Sequence, residues 1–271
     1  MAVVRTMIKI ENLNFSYRNK KVFENLNLDI EKGKIVSIIG PNGCGKSTLV
    51  KILLGLIYYN GRITIDNILL LKDNQKDIRK KIGVVFTNPD HQFVAETVMD
   101  DIAFTLENMN YKKEDIRKKI EEITKYLGIY DILELNPHDL NVNQKQLVSL
   151  ASALVHDPEI LILDEALTSF DPVEKDKIIT LLKELNDKGL TVINISHDIE
   201  DTLISDEIFV MNNGQIVFSG SKEQMYKEEK LLKSLGFNLP FTVELSNRLM
   251  FYNLIDHVIY DMKELVDVLW K

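Results

Sequence analysis

Nine residues, Gly40-Pro41-Asn42-Gly43-Cys44-Gly45-Lys46-Ser47-Thr48, constrain this chain more than any other stretch. They fit the pattern G-x-x-x-x-G-K-[ST], follow an apolar strand-like run (Ile35 to Ile39) and open a helix-like run (Leu49 to Leu56), which is the context the pattern requires. Gly43 and Gly45 let the backbone approach a polyphosphate, and a helix N-terminus beginning near Lys46 adds its positive dipole end. Lys46 would then reach the β- and γ-phosphates, and the Ser47 hydroxyl would ligate Mg²⁺. The loop thus predicts a strand-loop-helix unit in an α/β fold of the P-loop NTPase type.

The flanking segments extend this reading. Met7 to Tyr17 and Val22 to Ile30 form two strand-like runs around the turn Arg18-Asn19-Lys20-Lys21, a predicted β-hairpin. Tyr17 closes the first run; its ring could stack on adenine or sit as an ordinary core or surface tyrosine. A short strand (Arg62 to Asp66), a charged helix (Gln75 to Lys81) and a strand (Ile82 to Phe86) follow. From about residue 90 to 156 the pattern is helical, with Ile116, Ile120, Ile123 and Leu127 on one face, and reads as a helical insertion.

Strands resume with Glu159 to Asp164, ending in the pair Asp164-Glu165. Ligands of open α/β sheets bind beyond the carboxyl ends of strands, so Asp164 would face the metal and Glu165 would project past it to polarise a water. After a helix (Pro172 to Lys188) and a strand (Leu190 to Ile195), His197 reaches the same crevice, where its imidazole could donate to a γ-phosphate oxygen. No such role falls to His91, His138, His156 or His257, which read as surface residues. Two strands (Glu207 to Met211, Gln215 to Ser219) turn at Asn212-Asn213-Gly214, and beyond Gly220 the pattern is helical with breaks at Gly236 and Pro240.

Composition narrows the function classes. With 45% hydrophobic residues in 271, the chain can bury a large core, yet no apolar run approaches the ~18 residues that span a bilayer. The first residues lack the apolar core of a signal peptide, so membrane contact is expected only through partners. Lys plus Arg is 33 against 41 Asp plus Glu, a formal charge of −8, so no general basic surface invites nucleic acid. The single cysteine, Cys44, excludes an intrachain disulfide and reads as a small loop residue rather than a catalytic thiol.

Taken in order, the phosphate loop, Ile160 to Glu165, Ser169-Phe170-Asp171-Pro172 and Ile195 to Asp198 resemble the nucleotide-binding subunit of an ABC transporter over residues 7 to 220. Val85 to Val94, Thr97 to Phe104 and Leu231 to Leu245 are similar, more narrowly, to the A-component ATPases of energy-coupling factor transporters. The resemblance implies a RecA-like core with an antiparallel β subdomain, a helical ABC subdomain (about 90–156) within an ATPase domain (1–220), and a C-terminal helical extension (221–271). It implies that Tyr17 lies under adenine, Gly40 to Thr48 bind nucleotide, Asp164 supports the metal, Glu165 is the general base, Asp171 belongs to an inter-subunit loop and His197 is a switch histidine. It also implies a second ATPase subunit, a transmembrane scaffold, a separate substrate-binding membrane protein, and a peripheral place on the cytoplasmic face of the cell membrane. Docking on the scaffold is expected through the helical insertion, with Asp100 and Asp101 as candidate contacts.

Two departures from the family pattern stand out, one of them a segment. Leu140-Asn141-Val142-Asn143-Gln144 stands where the family has Leu-Ser-Gly-Gly-Gln, and Val142 adds bulk where backbone N–H groups should approach a γ-phosphate. Thr87 replaces a metal-contacting glutamine and offers an oxygen from a shorter side chain, while Gln92 aligns with a different glutamine. The resemblance implies an ATPase powering an importer of vitamins or metal ions, and the departures imply that it works as half of a heterodimer with a non-identical partner. The alternatives are an ATP-binding structural or regulatory clamp with little hydrolysis, and a soluble ABC protein outside transport.

Overall fold

The computed structural model describes residues 5–18 and 20–270. Residues 1–4, read above against a signal peptide, and Asn19 of the hairpin turn lie outside the described residues. β1 (Thr6–Tyr17) and β2 (Lys20–Glu31) pair antiparallel, with Ile8 opposite Ile30, Ile10 opposite Leu28 and Leu13 opposite Leu26. These cross-strand pairs bury one face of the hairpin. β3 (Ile35–Ile39) feeds the phosphate loop and α1 (Lys46–Leu53); β4 (Asn60–Ile65) then returns antiparallel to β1. β5 (Ile68–Leu69) completes a sheet of order β2-β1-β4-β5. Its two residues are too few to show a strand period in sequence.

After α2 (Gln75–Arg79) and β6 (Ile82–Val85), the helical insertion is α3 (Val98–Asn108), α4 (Lys113–Tyr126) and α5 (Val142–Leu154). β7 (Ile160–Asp164), α6 (Pro172–Asp187), β8 (Thr191–Ser196), β9 (Glu207–Asn212) and β10 (Gln215–Gly220) follow. The second sheet runs β10-β9-β3-β8-β7-β6, parallel throughout except for β10. β3 and β7 are buried at every position, which is why they read as unbroken apolar runs. The chain ends in α7 (Lys222–Met225), α8 (Glu229–Ser234), α9 (Phe241–Phe251) and α10 (Met262–Leu269), with Gly236 and Pro240 in the break between α8 and α9. No helix among the described residues is long and apolar enough to cross a membrane.

Three apolar cores hold these layers. One fills the space between the two sheets, where Ile8 and Leu13 meet Ile38 and Ile195. A second joins α3, α4 and α5 to the parallel sheet through Ile102, Ile120 and Leu163. The third packs Met225, Leu232, Phe237 and Val243 from the C-terminal helices against Ile39, Ile208 and Val210.

Two sequence expectations are corrected. Asp101 is not a docking residue: it is buried, and its Oδ1 accepts from the N–H groups of Val94 (2.8 Å) and Ala95 (3.4 Å), closing the turn before α3. Burial raises its pKa despite those bonds. His156 is not a surface histidine. It lies at the end of α5 with both ring nitrogens buried and unbonded, and burial pushes its pKa down. His91, His138 and His257 are exposed.

Candidate active site

The loop takes its shape from two close approaches. A Cβ at Gly40 would stand 2.2 Å from the Met211 carbonyl oxygen of β9 and 2.8 Å from the Cys44 Sγ. Gly45, the N-cap of α1, has φ 118, and a Cβ there would meet the Phe23 ring of β2 at 2.7 Å. The loop is therefore wedged between the parallel sheet and the hairpin. Inside it the Lys46 ammonium, only 5% exposed, donates to the carbonyls of Gly40 (2.7 Å) and Pro41 (3.3 Å). Pro41, Asn42 and Gly43 form the open rim, Cys44 is buried beneath it, and Ser47 and Thr48 begin the first turn of α1. Burial raises the Cys44 thiol pKa, which disfavours the thiolate a nucleophile needs.

Because β8 lies between β3 and β7, the residues leaving these three strands converge at one edge. Ser47 Oγ donates to Asp164 Oδ1 at 3.3 Å. Glu165 Oε1 lies 4.0 Å from the Lys46 ammonium and 3.4 Å from His197 Nδ1. Glu165 itself sits at φ 57, an uncommon left-handed conformation for a side-chain-bearing residue. Its N–H donates to the Ile195 carbonyl (2.8 Å) and its carbonyl accepts from Thr168 Oγ1 (2.7 Å), which fix that geometry. A non-glycine residue held this way points to a functional constraint.

The Asp164 carboxyl is 5% exposed and its pKa is raised, chiefly by burial, against the lowering effect of Ser47. A buried carboxylate beside a hydroxyl suits a hard, oxygen-seeking cation, which would relieve the cost of burying its charge. Among the described residues no cluster of three or more His, Cys, Asp or Glu could cage a metal. A cation held by one carboxylate, one hydroxyl and substrate phosphates needs no such cage. Thr87 follows β6 and donates through Oγ1 to the Asp164 carbonyl (2.8 Å), so its proton is committed and only its lone pairs face outward. Gln92 braces the same strand end, accepting from Phe86 N–H (3.2 Å) and donating to the Val84 carbonyl (3.4 Å).

Tyr17 ends β1 with 43% of its surface exposed, its ring edge-on to Phe15 at 4.7 Å between centroids. Phe15 pairs with Phe23, the residue against Gly45, so the hairpin carries Tyr17 on the side of the loop. Away from this cluster, Asn141 caps α5 by accepting from Gln144 N–H (2.9 Å), and Val142 is exposed. Asn143 Nδ2 donates to Asp171 Oδ2 (2.6 Å), and Asp171 Oδ1 caps α6 at the Glu174 N–H (2.9 Å). Two residues escaped the sequence reading. In sequence Asn143 stands only as a lost glycine, with nothing to mark it as a donor to Asp171. Gln146, fully buried on α5, donates to the Thr87 carbonyl (3.2 Å) and Ser169 Oγ (3.3 Å); in sequence it ends the polar run Asn143 to Gln146 and carries no signal that sets it apart.

The ABC transporter family model matches residues 23–168. The energy-coupling factor transporter ATP-binding protein EcfA of Pediococcus pentosaceus is 41% identical over 252 residues, 91% of this chain and 90% of that protein. The solved structure of cbiO1 from Clostridium perfringens, described as part of the ABC transporter complex cbiONQ, superposes with a TM-score of 0.76 at 32% identity, covering 85% of this chain and 94% of that one. A dimeric ATP-binding cassette in a post-hydrolysis state, bound to ADP and Pi, superposes with a TM-score of 0.73 at 29% identity, over 79% and 98% of the two chains. With its α/β core, antiparallel β sheet and phosphate loop, the chain belongs to the ATP-binding proteins of energy-coupling factor transporters within the ABC transporter family.

Proposed function

We propose that this chain hydrolyses ATP to power an energy-coupling factor importer of vitamins or metal ions, as one half of an ATPase heterodimer. The observation that carries the reading is the convergence of Lys46, Ser47, Asp164, Glu165 and His197 at the carboxyl ends of β3, β7 and β8. Lys46 holds the β- and γ-phosphates, and loop N–H groups with the α1 dipole add to that field. Ser47 and Asp164, with Thr87 beside them, would hold Mg²⁺, which when bound neutralises phosphate charge. Glu165 accepts the proton of a water whose oxygen attacks the γ-phosphorus in line, as the bond to the ADP oxygen breaks. His197 donates to a γ-phosphate oxygen, and Tyr17 stacks on adenine.

The dimeric arrangement rests on the likeness to the ADP-bound cassette and on Leu140 to Gln144. In a head-to-tail pair, Val142 and Asn143 would serve the opposite nucleotide poorly, so an unlike partner with an intact segment completes the site on this chain. Residues 1–220 form the ATPase domain, with 90–156 as the helical part that meets a membrane scaffold; 221–271 form the extension. The protein then sits at the cytoplasmic face of the membrane through its partners, with a separate membrane protein choosing the substrate. A second reading, an ATP-dependent clamp with little hydrolysis, draws on the same altered segment. Single-turnover hydrolysis by the purified ATPase pair, with Glu165→Gln as control, separates the two: product at about one equivalent per heterodimer supports hydrolysis, and retained ATP supports the clamp.

A further inference from the structure

His197 stands directly after β8, and the residues around it are tied down by a buried acid. Ser196 Oγ donates to Asp201 Oδ2 at 2.6 Å, and the Asp198 N–H donates back to Ser196 Oγ at 2.9 Å. Asp201 is 1% exposed within the short 3₁₀ turn Ile199–Ile204. Its other oxygen, Oδ1, meets the Lys175 ammonium, which reaches in from α6. Lys175 lies one helical turn beyond Asp171, the residue that caps α6 and is itself held by Asn143. One carboxylate therefore joins the segment bearing His197 to the helix that starts at Asp171. Packing alone has no need for a charge at this depth, since an apolar residue in place of Asp201 would fill the site without the cost of desolvating a carboxylate.

We propose that Lys175 and Asp201 form a positioning pair for hydrolysis: together they hold Ser196 to Asp198, and with them the His197 ring, in register with Glu165. The proposal rests on the assignment of His197 and Glu165 to the hydrolysis site. Lys175 touches neither of them and acts through Asp201 and Ser196. Removing its charge leaves Asp201 buried and uncompensated, so the carboxylate turns toward solvent and releases Ser196. A shift of about 1 Å at His197 then misplaces its donor, and losses of ten- to a hundredfold follow from displacements of that size.

The test uses the assembled ATPase complex and steady-state hydrolysis. Lys175→Met, which keeps the aliphatic stem, is expected to lower kcat about tenfold while leaving KM for ATP within about twofold. Lys175→Arg should restore most of the lost rate. In the His197→Ala background, Lys175→Met should cost less than about twofold more, because the pair then has nothing left to position. Parental turnover in Lys175→Met, or the same loss with and without His197, overturns the pairing. Parental turnover in His197→Ala overturns the site assignment and the pairing with it. Should Lys175→Met melt below the assay temperature, the double variant Lys175→Met/Asp201→Ala removes the stranded charge together with the acceptor of Ser196. Slow turnover in a stable double variant supports the pairing, and parental turnover overturns it.

Discussion

Glu165 Oε1 lies 3.4 Å from His197 Nδ1, which places the last residue before the 3₁₀ turn after β7 against the first residue after β8. Neither side chain is buried by this contact: Glu165 keeps 22% and His197 48% of its side chain exposed. Their free faces are where a γ-phosphate and its attacking water would enter. Lys46 closes the third side at 4.0 Å from Glu165.

Lys46 and Glu165 should separate binding from turnover. Lys46→Ala removes a charge-assisted contact worth about 1.5–3 kcal/mol, so ATP affinity is expected to fall about ten- to a hundredfold. Glu165→Gln keeps the shape and should leave affinity within about threefold. Titration of a fluorescent ATP analogue into each purified variant reads both outcomes.

The two wedged glycines should be intolerant of a methyl group for different reasons. Gly40→Ala puts carbon against the Met211 carbonyl, a backbone atom with no room to give, and is expected to destabilise the protein by about 1–3 kcal/mol. Gly45→Ala adds the cost of a left-handed φ to contact with the Phe23 ring, and should also distort the loop. Chemical denaturation gives the first effect, and loss of nucleotide-induced stabilisation gives the second.

Asp164 makes a prediction with a sign. Burial raises its pKa in the fold above the unfolded value, so the folded state favours the protonated acid. The stability linked to this group is fully present below the unfolded pKa and is lost as pH rises through the folded one. Without nucleotide, Asp164→Asn should therefore melt higher than the parent at pH 7, by a few degrees for about 1 kcal/mol. In the same variant the extra melting shift that Mg-ATP gives over ATP in EDTA should vanish. Scanning calorimetry at pH 4 and pH 7 checks both, and the gap between variant and parent should narrow at the lower pH.

Asp100 and Asp101 should differ although they are neighbours. Asp101→Arg breaks two bonds to backbone N–H groups and buries a cation on the core-facing side of α3, so soluble folded protein is expected to be lost. Asp100→Arg sits at an exposed position and should leave the fold intact. Circular dichroism and yield after purification distinguish them.

The phosphate loop, both carboxylates and the succession of strands along the chain could be read from sequence because each is local. A fixed spacing of small residues, or an apolar run ending in an acid, carries its own geometry. What escaped was contact between distant segments. Asp101 looks like any acid in a first helical turn until its bonds to Val94 and Ala95 are seen. Asn143 read as a missing glycine, yet its carboxamide reaches Asp171, 28 residues away. Thr87 reads in sequence only as a shortened metal contact, yet its hydroxyl proton also ties the end of β6 to the Asp164 carbonyl. The link from Lys175 to Asp201 needs α6 packed beside β8, which no local pattern announces.

The central claim, that this chain carries a working hydrolysis site completed by an unlike partner, has one most direct measurement. The complex with its second ATPase subunit is assembled with Glu165→Gln in this chain alone, and ATP turnover is compared with the parental complex and with the chain by itself. The account predicts negligible turnover by the isolated chain, robust turnover by the parental complex, and at least a hundredfold loss on Glu165→Gln with ATP still bound. Parental turnover in the Glu165→Gln complex, or brisk hydrolysis by the isolated chain, would contradict it.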